Sequence, residues 1–160
     1  MKKQTITTEF ARFESTEELP ETDRQLLALA KKALENAYSP YSNFKVGAAV
    51  LLQNGKVAGG SNYENASYPL CICAEQTVLT TAANLHPGVP PIALAVCVRN
   101  PKQVIEIPGP PCGACRQVIC ETEMRYKQPI RVILQGETGP IFVFENGLSL
   151  LPLAFDKSFL

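Results

Sequence analysis

Two short runs in this sequence carry residues whose types and spacing suit metal chemistry: Cys73-Ala74-Glu75 and Pro111-Cys112-Gly113-Ala114-Cys115. Cys112 and Cys115 are three positions apart, so on a helix they share a face of the first turn, and Gly113 lets the backbone approach an ion without a Cβ clash. Thiolates need positive surroundings, which the unpaired N–H groups of a helix start supply, as does a metal cation. Cys73, Cys112 and Cys115 are therefore expected to hold Zn²⁺ tetrahedrally with the fourth position open to water, whose pKa the ion lowers from about 15.7 toward about 7. Glu75 is not needed as a ligand and is placed to shuttle a proton between that water and a substrate nitrogen.

The same cysteines permit a second reading. Cys71-x-Cys73 with Cys112-x-x-Cys115 is also the ligand set of a closed, purely structural four-cysteine zinc site, in which Glu75 would have no task. Six cysteines in a chain that looks intracellular favour metal or catalytic use over a disulfide framework. Cys97, in an apolar strand, and Cys120, off the ligand face of its helix, read as packing residues. His86, the one histidine, reads as an exposed side chain at a helix stop, neither ligand nor base.

Both chemical runs must open helices for this to work. From Cys73 the apolar residues Val78, Leu79, Ala82, Ala83 and Leu85 recur at helical spacing until His86-Pro87-Gly88 stops them. Pro110-Pro111 leads into another helix at about Cys112, with Val118, Ile119 and Met124 on its apolar side and Pro129 closing it. Upstream, Thr22 with Gln25 reads as a capping box for a first helix carrying Leu26, Leu27, Ala30, Ala33, Leu34 and Ala37.

Strand patterns fall at 44–52, 56–62, 92–98, 130–134 and 141–144. Asn54-Gly55 joins the first two as a hairpin, and the link 135–139 is too short for a crossover, so the last two should run antiparallel. Residues 1–19 show no clear period and read as a weakly ordered arm. No repeat or linker divides the chain, which is read as a single domain over 1–160.

Lys plus Arg and Asp plus Glu each number 15, giving a formal net charge of +0. With no basic run, nucleic acid is not the expected partner. The longest apolar stretches, 46–52 and 92–98, are far shorter than the roughly 20 residues a membrane span needs. Residues 4–14 lack the apolar core of a signal peptide, so the expectation is a cytoplasmic protein.

The pair of runs matches the known signature of base-acting zinc deaminases, in its all-cysteine form. Three segments extend the likeness over roughly residues 22–155: Pro40-Tyr41-Ser42-Asn43-Phe44-Lys45-Val46-Gly47-Ala48-Ala49, Gly60-Ser61-Asn62-Tyr63-Glu64-Asn65-Ala66-Ser67-Tyr68, and Cys73-Ala74-Glu75. On these the chain resembles the small homotetrameric zinc-dependent cytidine deaminases.

The resemblance implies a three-layer α/β/α fold with a five-stranded mixed sheet, one zinc per subunit, and hydrolytic deamination of cytidine and 2′-deoxycytidine in pyrimidine salvage. It implies that Asn62 and Glu64 hydrogen-bond the ribose, that Phe44 packs on the pyrimidine, and that the Ala74 backbone orients the base. Tyr68 and Phe155 would complete a pocket shared between subunits of a homotetramer. Glu75 would take a proton from water, protonate N3, and pass a proton to the departing amine. A deaminase of a modified aminopyrimidine nucleoside, of the blasticidin type, uses a similar pair of motifs, and a non-catalytic zinc module is the reading from another class.

One position departs from the family pattern: Gln76 follows the glutamate where Arg is usual. The missing cation should leave the site a weaker Lewis acid, unless Arg116 compensates.

Overall fold

Eight consecutive residues, Lys45–Leu52 (β2), form an interior strand because their small and branched side chains suit burial on both faces. Ala48, Val50 and Leu52 point into one core and Ala49 into the other, the two-residue alternation of a pleated strand. The computed structural model describes residues 1–160. Around β2 lie β1 (Ala11–Phe13), β3 (Val57–Ser61), β4 (Pro91–Arg99), β5 (Arg131–Gln135) and β6 (Ile141–Phe144), in the spatial order β1-β6-β5-β4-β2-β3.

The sheet is mixed: only β4 and β5 pair in parallel. The expected antiparallel β5–β6 pair is present, with Ile133 opposite Val143. Asn54-Gly55 turns the β2–β3 hairpin, Gly55 taking φ +78°, a left-handed value suited to glycine.

Three helices complete the layers: α1 (Glu21–Ala33), α2 (Ala74–Leu85) and α3 (Gly113–Tyr126). The buried stripe Leu26, Leu27 and Ala30 of α1 packs on one face of the sheet. Ala74, Val78, Leu79 and Ala82 of α2, with Ile119 of α3, cover the other. The architecture is the expected α/β/α sandwich. Gly47 permits its closest contact, since a Cβ there would sit 2.2 Å from the Ala30 carbonyl oxygen. No helix is long and apolar enough to cross a membrane.

Three expectations are corrected. The sheet has six strands instead of five, and the extra one, β1, comes from the segment read as a weakly ordered arm. Phe10 then lays its ring against Phe142 and Phe144 at 4.6 and 5.3 Å. The Thr22 capping box does not form: Pro20 caps α1 without a side-chain bond, and Gln25 donates to Glu21 instead. His86 does cap α2, but it is half-buried and not exposed.

Candidate active site

β3 and β4 both run antiparallel to β2, so they end at the same edge of the sheet. The helices that follow, α2 and α3, therefore start at that edge, the usual place for a ligand crevice in an α/β sheet. Cys73 is the N-cap of α2 and Cys112 the N-cap of α3, where its sulfur accepts the Cys115 N–H at 3.5 Å. Paired backbone bonds between Tyr63 and Ile72, at 2.9 and 3.0 Å, pin the loop that delivers Cys73.

Sequence reasoning put three cysteines together, and the structure does so. The Cys73 and Cys112 sulfurs are 3.9 Å apart, those of Cys112 and Cys115 3.4 Å, and all three lie within 4.8 Å of one another. Tetrahedral zinc with sulfurs at about 2.3 Å sets them about 3.8 Å apart, so the cluster fits the ion. Cys71 is outside the group: its sulfur faces the Asn65 backbone, accepting the N–H at 3.2 Å. The closed four-cysteine reading falls with it. Nothing lies within 4 Å of where a Gly113 Cβ would stand, so no protein atom there demands glycine.

Crowding of the thiols favours a bound cation. The Cys115 thiol lowers Cys73 to about 7, against burial and the Glu75 charge. The same interaction with Cys73, with burial next, pushes Cys115 well above the usual thiol range. One negative charge is thus accommodated readily and a second only at cost, which a divalent ion relieves.

Glu75, in the first turn of α2, is 4% exposed. Burial raises its carboxyl above the usual range, the state that suits a group which must both take and give a proton. It lines a cleft of about 420 Å³ together with Phe44, Asn62, Glu64, Cys73 and Cys112. Val46, Val96 and Val98 make its apolar wall; no periodicity marked them as more than core. Ala74 is fully buried at the first position of α2, so its N–H is among the unpaired donors there.

Asn62 and Glu64 also brace the cleft. The Asn62 amide accepts from Val46 N–H at 2.8 Å and donates to Phe44 C=O at 2.9 Å, extending the β2 ladder by side chain. Glu64 accepts the Tyr41 and Ser42 N–H groups at 2.9 and 3.3 Å and the Ser42 hydroxyl. The Ser42 hydroxyl is the chief cause holding the Glu64 carboxyl below the usual range. Ser42 escaped notice in the sequence because a lone serine in a Tyr-Ser-Asn turn carries no distinctive spacing.

Tyr68 and Phe155 do not reach this cleft within the chain. Tyr68 is 71% exposed and edges against Tyr41, while Phe155 stacks on Phe159. Cys97 and Cys120 are buried, as expected of packing residues, and burial pushes the Cys97 thiol up to about 12. Arg116 spends its guanidinium on the carbonyls of Pro111 and Leu150 and not on sulfur.

A sandwich that brings three thiols and one desolvated carboxylate to two adjacent helix starts defines a zinc-dependent hydrolytic deaminase. Residues 20–128 match the family described as the cytidine and deoxycytidylate deaminase zinc-binding region. A cytidine deaminase of Halalkalibacterium halodurans is 44% identical over 134 residues, 83% of this chain and 94% of that one. One from Mycobacterium tuberculosis is 40% identical over 126 residues, 76% of this chain and 90% of that one. The crystal structure of cytidine deaminase from Burkholderia pseudomallei superposes with a TM-score of 0.73 at 43% identity, covering 86% of this chain and 100% of that one. The chain belongs to the cytidine and deoxycytidylate deaminase family.

Proposed function

We propose that this chain hydrolyses the 4-amino group of cytidine and 2′-deoxycytidine, releasing ammonia and the uridine product, in cytoplasmic pyrimidine salvage. The observation that carries the reading is Glu75, a buried carboxyl with a raised pKa beside the three-thiol cluster in the cleft. The likeness to cytidine deaminases supports the substrate.

A zinc ion held by Cys73, Cys112 and Cys115, one per subunit, supplies a Lewis acid that makes water acidic enough to attack near neutral pH. Glu75 accepts the first proton that water gives up and delivers it to N3 as the new C4–O bond forms. It then takes the second proton from the C4 hydroxyl as the C4 carbonyl forms and passes it to the amino nitrogen as the C4–N bond breaks, so that ammonia leaves. Phe44 packs against the pyrimidine and the Ala74 N–H orients it. Asn62 and Glu64 take the ribose hydroxyls, for which an acceptor carboxylate suits an uncharged sugar and disfavours a phosphate.

The whole chain acts as one domain, and Tyr68 and Phe155 serve a neighbouring site in a homotetramer. Following ultraviolet absorbance and ammonia with cytidine, cytosine and cytidine 5′-phosphate tests the reading. Turnover of the nucleoside well above the other two is expected; a zinc-loaded protein that leaves cytidine intact would overturn it.

A further inference from the structure

Arg116 follows the ligand Cys115 directly and turns away from the sulfurs. Its Nε donates to the Pro111 carbonyl at 2.8 Å and its Nη1 to the Leu150 carbonyl at 2.9 Å. Pro111 immediately precedes Cys112, so its carbonyl belongs to the peptide plane on which the Cys112 backbone, and hence its sulfur, depends. The second anchor is itself held firmly. Leu150 ends the turn Leu148–Leu150, and the buried Glu123 carboxylate accepts the N–H groups of Gly147 and Leu148 there at 2.7 and 2.8 Å, and that of Ile130 at 2.6 Å.

We infer that Arg116 is a positioning residue for the metal site: by bridging Pro111 to the Glu123-braced turn, it fixes the Cys112 sulfur relative to Cys115 and Cys73. The inference rests on the reading of these cysteines as zinc ligands. A planar guanidinium reaches two carbonyls at once, whereas a lysine ammonium carries the same charge without the fork. Gln117, the next residue, grips the C-terminal segment instead, donating to the Phe155 carbonyl at 2.8 Å, and provides a control on the same helix turn.

The test compares zinc affinity by chelator competition for the parent, Arg116→Gln, Arg116→Lys and Gln117→Ala, each well below its melting temperature. The cobalt(II) d–d spectrum reports ligand geometry independently of turnover. Outer partners of metal ligands typically carry about 10–100-fold in affinity, and Arg116→Gln is expected to lose that much with an altered cobalt spectrum. Arg116→Lys should fall short of the parent, and Gln117→Ala should match it.

Parental affinity and spectrum in Arg116→Gln would overturn the inference, as would full recovery in Arg116→Lys or an equal loss in Gln117→Ala. Should Arg116→Gln fail to fold, Arg116→Lys decides alone by the same comparison. A parent that binds no zinc would instead strike down the ligand reading itself.

Discussion

The sulfurs of Cys73 and Cys112, 39 positions apart in sequence, lie 3.9 Å from each other because each caps a helix that starts at the same sheet edge. Neither thiol is needed there for packing. Cys73→Ser and Cys112→Ser should each abolish stoichiometric zinc retention after dialysis. Cys71→Ser should retain one zinc per chain, since that sulfur serves only the Asn65 backbone. Metal analysis of the three variants decides, and loss of zinc in Cys71→Ser would restore the closed four-cysteine site.

Zinc uptake should also titrate with a break near the pKa of Cys73, lowered to about 7 in the free protein. Binding displaces whatever protons the ligands hold, so affinity rises with pH. Below about 7 Cys73 contributes one of those protons, and above it none. A plot of log affinity against pH should therefore lose about one unit of slope on crossing that value. A constant slope through neutrality would mean that Cys73 is not poised as its neighbours dictate.

Gln76 sits half-buried one residue beyond Glu75 and brings no charge to the thiols. Arg116 does not replace the missing cation by bonding sulfur, being committed to two carbonyls. Gln76→Arg should place positive charge beside the anionic site and favour loss of a proton from the attacking water. The acid-limb pKa of a kcat/KM profile is expected to move down. An unchanged limb would show that the charge at this position is immaterial.

Residues 11–13 pair with β6, and Phe10 covers Phe142 and Phe144. Removing residues 1–14 should cost about 1–3 kcal/mol in urea denaturation, the scale of burying one large apolar side chain. It should also bare the β6 edge to association with other chains, visible by light scattering. Unchanged stability and a monodisperse truncated protein would assign the arm no part in the sheet.

The grouping of the three thiols near Glu75 was legible in the sequence because Cys73, Glu75, Cys112 and Cys115 sit at fixed offsets within two helix starts, and local spacing dictates which face they share. The strands of the hairpin and the β5–β6 pair were legible for a similar local reason, through short apolar runs, the Asn54-Gly55 turn and a link too short to cross over. β1 was not: three residues among charged and threonine positions show no period, and they become a strand only where β6 offers a free edge. Nor was the work of Arg116 or Glu123, whose bonds run from a side chain to backbone groups brought near only by the completed fold. Asn62 and Glu64 were marked by resemblance, but their grip on the backbone around Phe44 and Ser42 emerges from the tertiary arrangement.

The central claim is that Glu75 moves the protons of the reaction without holding the metal, and Glu75→Gln tests it most directly. The substitution keeps size and burial but removes the titrating group. Zinc content and cytidine turnover should be measured on the same preparation. The expected result is full zinc occupancy with kcat reduced by about 10⁴-fold, the upper range for loss of a general acid–base. Turnover near the parental rate would contradict the account, and loss of zinc together with activity would recast Glu75 as a ligand.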